Sequence, residues 1–321
     1  MSKSHDPKAL EALVAAELLK AQPDAVVKAA EHAAARHKGA VLGVLFYGSC
    51  LRTGELDDKI LDFYLIVPSY KAAYESRGLA LANQLLPPNV FYDEFEHDGR
   101  TLRTKYNVIS LDDMHRRVQH DCRNVSLWAR FSQPMALLIA KDETAIKTVV
   151  AAVSQAVQTM IDAALPLCAP KESAAQIWTR AFGLTYGAEL RSEPPGKGAE
   201  IYQMDQARYD RFFGPAIEAL GVAHLFDNEG DGLPGLKALP CRKDRHRAQR
   251  QWRVRRLNGK VISFLRLIKA STTFDGGIDY LAWKIQRHSG VEIEISPWQR
   301  RHPVIAGLLH FYRLRRRGAF R

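Results

Sequence analysis

The sequence lacks several features that would place it in a familiar class of proteins. Its four cysteines lie far apart, without a CxxC pair or the dense spacing of a disulfide scaffold. This pattern indicates a reducing compartment and argues against a structural zinc site. No apolar run reaches the roughly 18 residues that a transmembrane helix needs. The N-terminal segment has neither the apolar core of a signal peptide nor the arginine-rich face of a transit peptide, so we expect a cytoplasmic protein.

Common catalytic histidine and serine motifs are missing as well. The eleven histidines include no HExxH motif and no pair at metal-ligand spacing beside a cysteine, so we interpret them as structural or solvated. Ser49 lies in the segment FYGSC, which lacks the second glycine of the GxSxG motif of serine hydrolases. The sequence therefore argues against a zinc peptidase and a serine hydrolase.

The positive charge is concentrated at one end of the chain. The formal net charge is +11, yet residues 241–321 alone hold 20 Lys and Arg against 5 Asp and Glu. The other 240 residues hold 26 against 30. A mildly acidic body with a strongly basic end indicates a phosphate-bearing partner, either anionic lipid or nucleic acid. A solvated basic tail without a partner is the remaining alternative.

Hydrophobic periodicity predicts an α+β protein. It indicates helices over 7–38 and 70–86, buried strands over 40–47 and 60–67, and a hairpin of strands 90–96 and 101–110 that turns at Asp98-Gly99. Residues 111–190 read as helical. We expect a mixed sheet with helices in 1–150, a helical domain in 151–240 and a basic amphipathic region in 241–321. A winged-helix-like arrangement is one option for the helical domain.

The turn between the first two strands carries the clearest chemical signal. Strand 40–47 ends in Gly48-Ser49, and the next strand presents Asp62. Glycine lets the backbone approach phosphate oxygens, which serine and the first N–H groups of a helix can bind. This order matches the nucleotidyltransferase superfamily, in which such a turn holds a triphosphate and the aspartate holds Mg²⁺. The alternative is an ordinary strand–helix turn with Asp62 as a local cap.

A second metal ligand is not evident on the same strand. Many superfamily members carry two acids at positions i and i+2, which share one face of a strand. Here the residue two positions after Asp62 is Tyr64. Asp93 and Glu94 on the next candidate strand are the obvious donors. Because an acid in the apolar run ILDFYLIV is costly to bury without a partner, a functional role for Asp62 is favoured.

Several further blocks, in order along the chain, extend this resemblance. These blocks are FYGS at 46–49, LDF at 61–63, VFYDEF at 90–95, KYNV at 105–108, LWARF at 127–131, LTYGAELR at 184–191 and KASTTFDGGIDYLAWK at 269–284. With them the sequence resembles the mitochondrial-type phosphatidate cytidylyltransferases, the translocator assembly and maintenance family, and their bacterial relatives. The turn reads Gly-Ser-Cys where the family has Gly-Ser-Gly.

The resemblance implies a nucleotidyltransferase-like fold and a reaction. In that reaction the phosphate of phosphatidate attacks the α-phosphorus of CTP and expels pyrophosphate, giving CDP-diacylglycerol. It further implies that Tyr47, Gly48 and Ser49 bind the nucleotide. Positioning and charge stabilisation supply most of the catalysis of phosphoryl transfer, so a metal and cations suffice.

The same resemblance implies the remaining catalytic roles. Asp62 is expected to hold Mg²⁺, with help from Asp93 or Glu189. Lys105 and Arg191 are expected to neutralise phosphate charge, Lys105 also in binding the nucleotide. The ordinary alternative for both cations is an unspecialised place on the surface.

The basic end is expected to rest on a membrane. Arginines around aromatic residues suit an interfacial anchor on anionic lipid, which would place a bacterial protein on the cytoplasmic face of the inner membrane. The stretch 261–285 is open to either a membrane-facing or a core-packing reading. Two other functions remain open, an RNA-directed nucleotidyltransferase and a non-catalytic membrane scaffold. The ordered blocks make nucleic acid the less favoured partner.

Overall fold

A computed structural model describes residues 7–56, 59–189, 196–227, 235–237 and 241–273, together with Ser296 and Trp298. Arg191 and most of the block 269–284 lie outside these residues. The strands are β1 Gly43–Tyr47, β2 Ile60–Val67, β3 Asn89–His97, β4 Arg100–Ser110, β5 Met135–Ala140, β6 Phe226–Asp227 and β7 Gly235–Leu236.

Helices make up most of the remaining described chain. The first seven are α1 Lys8–Leu18, α2 Asp24–Ala35, α3 Ser49–Thr53, α4 Tyr70–Ala73, α5 Arg77–Leu85, α6 Leu111–Arg117 and α7 Ser126–Phe131. The others are α8 Glu143–Ala164, α9 Ala174–Tyr186, α10 Lys197–Met204, α11 Gln206–Ala219 and α12 Arg242–Thr273. The predicted α+β class is therefore confirmed.

A mixed five-stranded sheet forms the centre, in the order β3-β4-β2-β1-β5. Strand β4 runs parallel to β2, and the other neighbours are antiparallel. The β3–β4 hairpin turns at Asp98 and Gly99, whose φ angles are 49° and 72°. Positive φ at both central residues is what a tight hairpin requires, so the Asp-Gly signal predicted this turn correctly.

Two differences from the sequence prediction concern element boundaries. The helix predicted over 70–86 is divided into α4 and α5, because Tyr74 is extended and the Ser76 hydroxyl caps a new helix. Strand β5 lies within the stretch that was read as helical, so that reading was wrong there. Its sequence, MALLIA, is a short apolar run, which periodicity cannot distinguish from a buried helix.

The two faces of the sheet pack into different hydrophobic clusters. Helix α2 covers one face, which contributes Phe46, Leu61 and Phe63. Helix α1 and the helices from α6 to α11 cover the other face, to which Tyr64 belongs. Helix α8 runs through residue 150, the predicted domain boundary, and packs on both sides of it against this second cluster. The candidate site therefore lies where the sheet meets the helical layer.

Helix α8 also bears on the question of membrane spanning. Among the described residues, the segment Glu143–Leu167 is long and apolar enough to cross a bilayer by length and composition. However, 72% of its apolar window is buried inside the protein. Burial of this kind is typical of the central helix of a folded core.

The basic region is partly built into the fold. Trp252 of α12 is only 2% exposed, and its indole N–H donates to the Ala163 carbonyl at 2.9 Å. Its ring meets that of Trp128 edge to face, with centroids 6.2 Å apart. The first part of the region predicted as an appendage thus belongs to the helical core.

Candidate active site

Gly48 brings the end of β1 directly against Asp62. Its φ of +96° is a backbone conformation that residues with a Cβ atom rarely adopt. A Cβ at this position would also lie 2.9 Å from the Asp62 Oδ2 atom. The turn therefore requires glycine for two reasons, and Ser49 follows as the first residue of α3. The structure brings Gly48 against Asp62, with Ser49 next to it in the chain.

The register of the sheet aligns four polar side chains across one face. Asp62 lies opposite Tyr47 on β1 and Lys105 on β4, and Lys105 lies opposite Tyr92 on β3. The Lys105 ammonium is 2.6 Å from Asp62 Oδ1. Both side chains stay partly accessible, at 30% and 20%. This ion pair next to the Gly48 turn is the centre of the candidate site.

Asp93 does not face this site. It lies opposite Thr104, which in turn lies opposite Leu61, so its side chain belongs to the other face of the sheet. There it forms an ion pair with Arg36 at 2.7 Å and a hydrogen bond with His32 Nε2 at 3.0 Å. Since side chains alternate between faces with a period of two, the assignment of Asp93 as a partner of Asp62 is wrong.

The other acid considered on this strand, Glu94, has the correct orientation but lies farther along. Its register partners are Arg103 and then Ile60, two positions from Asp62 along β2. It accepts a bond from Arg103 Nε at 3.2 Å and another from the Tyr92 hydroxyl. Glu94 is therefore held at the rim of the face, two strands away from Asp62.

Tyr64 occupies the place that a second carboxylate would take. It is 3% exposed, and its ring packs against those of Tyr47 at 5.1 Å and Phe131 at 5.3 Å. Asn107 donates to the Tyr47 hydroxyl at 2.9 Å. Burial and the nearby Asp62 carboxylate raise the pKa of Tyr47 well above its ordinary value. Tyr47 is therefore a neutral hydrogen-bonding group beside the ion pair.

Glu189 belongs to a buried cluster on the same side of the sheet. Its carboxylate is 9% exposed, accepts the Ser126 hydroxyl and lies 3.4 Å from Arg130 Nη1. Burial opposes the charge of Arg130, but Glu189, Tyr64 and Tyr47 outweigh it and raise the pKa of the guanidinium. Glu189 thus fixes an arginine close to the two tyrosines of the site.

The second half of α12 closes over this region with two cations that sequence reasoning did not assign. Arg266 donates to the Pro87 carbonyl and, at 2.9 Å, to the Ser126 hydroxyl. Burial, with neighbouring arginines, lowers its pKa to about 10. Lys269 donates to the Pro88 carbonyl at 2.7 Å and to the Asn89 amide oxygen at 3.0 Å. Burial lowers its pKa to about 7.

The donor set fits magnesium only with help from a substrate. Within the part of the chain that the structure describes, no group of three or more His, Cys, Asp or Glu side chains is placed to hold a metal ion. Asp62, Asp93 and Glu189 therefore form no common ligand set. Mg²⁺ is commonly held by one or two carboxylates together with substrate phosphates, and the partly accessible Asp62 can serve as such a single ligand.

Comparisons with known proteins leave the assignment to the geometry. No protein-family model matches the sequence, and no curated protein matches it significantly. Arg191, expected to neutralise phosphate charge, lies outside the described residues. The candidate site therefore consists of the Gly48 turn, the Asp62–Lys105 ion pair and the cluster around Glu189.

Proposed function

We propose that this protein is a magnesium-dependent nucleotidyltransferase of the phosphatidate cytidylyltransferase type. It would transfer CMP from CTP to phosphatidate, giving CDP-diacylglycerol and pyrophosphate. The observation that carries the proposal is the Asp62 carboxylate, held against the glycine turn at Gly48 and paired with Lys105. Phosphoryl transfer requires a backbone that can approach the phosphates closely, together with an acid and a cation at the same point.

Each of these groups has a role in the proposed reaction. The turn at Gly48 and Ser49 would bind the triphosphate through backbone N–H groups and the serine hydroxyl. Lys105, now neutralising Asp62, can turn to the phosphates and balance the charge on the leaving pyrophosphate. An oxygen of phosphatidate forms a bond to the α-phosphorus, and the bond from that phosphorus to the pyrophosphate oxygen breaks. Mg²⁺ bound at Asp62 would supply further charge stabilisation.

The acceptor phosphate would lie towards the helical layer. Arg130 is partly buried there, with Nη1 3.4 Å from the Glu189 carboxylate, and Arg266 donates to the Ser126 hydroxyl that in turn donates to Glu189. Two guanidinium groups fixed above the tyrosines suit a phosphate that must be oriented for in-line attack. The resemblance adds Arg191 to this group.

The membrane partner is proposed from α12. One side of this helix exposes apolar side chains, and exposed arginine and lysine residues flank them. Such a surface suits the headgroup region of an anionic bilayer, and it is consistent with a peripheral protein on the cytoplasmic face of a bacterial inner membrane. Trp252 is not available for insertion, because it is buried. The exposed apolar residues are Val254, Leu257, Val261, Phe264 and Leu265, at 44–69% exposure.

The decisive experiment uses labelled CTP, Mg²⁺ and vesicles that contain phosphatidate. We expect labelled CDP-diacylglycerol and pyrophosphate, and we expect Asp62→Asn to lower turnover by about 10²-fold or more. Asp93→Asn is the matched control, since it removes an equal acid from the opposite face of the same sheet. Tryptophan fluorescence should report that both variants fold.

Binding measurements supply a readout that does not depend on turnover. Calorimetric titration with a non-hydrolysable CTP analogue should show Mg²⁺-dependent affinity in the wild type and the Asp93→Asn variant, and weaker affinity in Asp62→Asn. Unchanged transfer by the Asp62→Asn variant would contradict the proposal. Extension of RNA ends in place of lipid transfer would identify the RNA-directed enzyme instead.

One observation favours a second candidate, a non-catalytic nucleotide-binding scaffold. Tyr64 stands where a second carboxylate would lie, and Lys105 already neutralises Asp62. Under this reading the nucleotide analogue would bind, yet no lipid product would form at any Mg²⁺ concentration. The same pair of assays therefore separates the enzyme from the scaffold.

A further inference from the structure

The first turns of α12 have a charge pattern that works against the helix. The amino end of a helix carries partial positive charge and favours acids, but α12 begins with Arg242 and Lys243 and has only Asp244 as an acid in its first turn. Lys243 and Arg247 are four residues apart, and Arg247 and Arg250 three. Like charges at these spacings repel each other across the helix surface. Because several residues of this segment break the charge preference of a helix start, we expect the segment to have a function besides stability.

These cations line one groove together with a second element. The groove lies between α12 and the loop at residues 120–123, and its volume is about 810 Å³. Its lining contains five Lys and Arg side chains and a single acid, Asp121. The five are Arg123, Lys243, Arg247, Arg250 and Arg255. The groove is open to solvent, so its cations are accessible to an anionic ligand.

The exposed cations of the groove lack protein counter-charges. Arg123, Lys243, Arg247 and Arg250 make no ion pair with any residue that the structure describes. The groove therefore concentrates unbalanced positive charge, which an anionic ligand would neutralise.

A buried arginine gives the groove a fixed floor. Arg255 is 5% exposed and donates to the His120 carbonyl at 2.7 Å, which ties the loop to the helix. Its guanidinium lies 5.0 Å from the ring centroid of Trp252 and 5.7 Å from that of Trp128. Both rings are themselves buried. These contacts therefore fix Arg255, and with it the position of the loop relative to α12.

We propose that this groove binds a free polyphosphate group, of the pyrophosphate or triphosphate class. Several cations converge there, which suits a ligand with more than one phosphate. Single-stranded nucleic acid is less suited, because no Phe, Tyr or Trp side chain lines the groove for base stacking. A bilayer is less suited to a concave surface. Arg250 is about 24 Å along the helix from Arg266, so the groove is separate from the candidate active site and does not depend on its function.

The test is calorimetric titration of the full chain with pyrophosphate in buffer without divalent metal. We expect saturable binding by the wild type, and at least about tenfold weaker binding by Arg247→Gln/Arg250→Gln. The matched control is Arg253→Gln/Lys260→Gln, which removes two exposed cations of the same helix that do not line the groove. The control should bind like the wild type.

Thermal unfolding adds an independent readout. Loss of like-charge repulsion should leave the groove variant at least as stable as the wild type without ligand. Pyrophosphate should raise the unfolding temperature of the wild type and of the control variant, but not that of the groove variant. Equal binding by the groove variant and the wild type would overturn the proposal. So would equal losses in the groove and control variants, or groove-dependent binding of RNA or phosphatidate vesicles without binding of pyrophosphate.

Discussion

Gly48 is the residue whose replacement tests the geometry of the site most directly. An alanine there meets both an unfavourable φ of +96° and the Asp62 carboxylate 2.9 Å away. The strained backbone should cost about 1–3 kcal/mol of unfolding free energy. The contact should displace the carboxylate, and displacements of about 1 Å at a reacting centre can cost about 10²-fold in rate. Urea unfolding and the transfer assay measure the two effects.

Gly54 provides the matched control for this prediction. It also has positive φ, at +72°, but an added Cβ would find nothing within 4 Å. Gly54→Ala should therefore lose comparable stability and keep its transfer activity. Equal activity in the two alanine variants would mean that the position of the Asp62 carboxylate does not matter for the reaction.

The candidate site shows what a sequence can predict at the level of single residues. Gly48, Ser49 and Asp62 could be predicted because each has a chemical reason that acts within a few residues of the chain. Asp93 could not be assigned correctly, because a one-residue change in strand register moves a side chain to the opposite face. The positions of Arg130 and Arg266 beside the candidate site could not be predicted, since they arise only when α7 and α12 pack over the sheet.

At the scale of elements, β2 could be predicted from its local sequence, whereas β5 could not. The run ILDFYLIV is bounded by a loop and Pro68, and the strand formed as predicted over Ile60–Val67. Strand β5 follows a short helix, and it pairs only with β1 among the described strands. Its identity as a strand is therefore decided by a partner about 90 residues earlier in the chain, a contact that local periodicity does not contain.

Helix α12 carries a prediction of its own, because its charge suggests an appendage and its packing does not. Trp252 is buried against Trp128 and donates to the Ala163 carbonyl. Trp252→Ala should lower the unfolding free energy by about 3–5 kcal/mol, as for other large-to-small core changes. Val254→Ala, two residues away and 45% exposed, should change it by less than about 0.5 kcal/mol. Denaturant unfolding compares them, and a Trp252→Ala variant as stable as Val254→Ala would show that α12 does not stabilise the core.

At the scale of the whole molecule, the α+β class was predictable and the division of the chain was less so. The buried strands and amphipathic helices fix the class through their period alone. By contrast, α1 packs against α8 and α11, and the Arg208 guanidinium of α11 pairs with Glu17 of α1 at 3.0 Å. Contacts between the first helix and a helix some 190 residues later have no local signature in the sequence.

The charge asymmetry of the molecule leads to a prediction about membranes. Residues 241–321 carry 20 Lys and Arg, so anionic vesicles should attract the protein by about 1 kcal/mol for each cation that reaches the surface. This attraction is screened by salt within a Debye length. Apolar side chains that enter the headgroup region add a contribution to membrane binding that salt does not remove. We therefore expect co-sedimentation with phosphatidylglycerol vesicles that is strong at low salt and partly retained at high salt.

The exposed apolar side of α12 should account for the salt-resistant part. Leu257 and Phe264 are 69% and 47% exposed and lie seven residues apart, so they share one side of the helix. Leu257→Gln/Phe264→Gln should bind as the wild type does at low salt and dissociate at high salt. Leu19→Gln/Met204→Gln, which changes two apolar residues exposed elsewhere, should behave as the wild type at both. If both double variants keep the salt-resistant binding, the helix does not enter the bilayer, and its apolar side must be assigned to contacts between proteins.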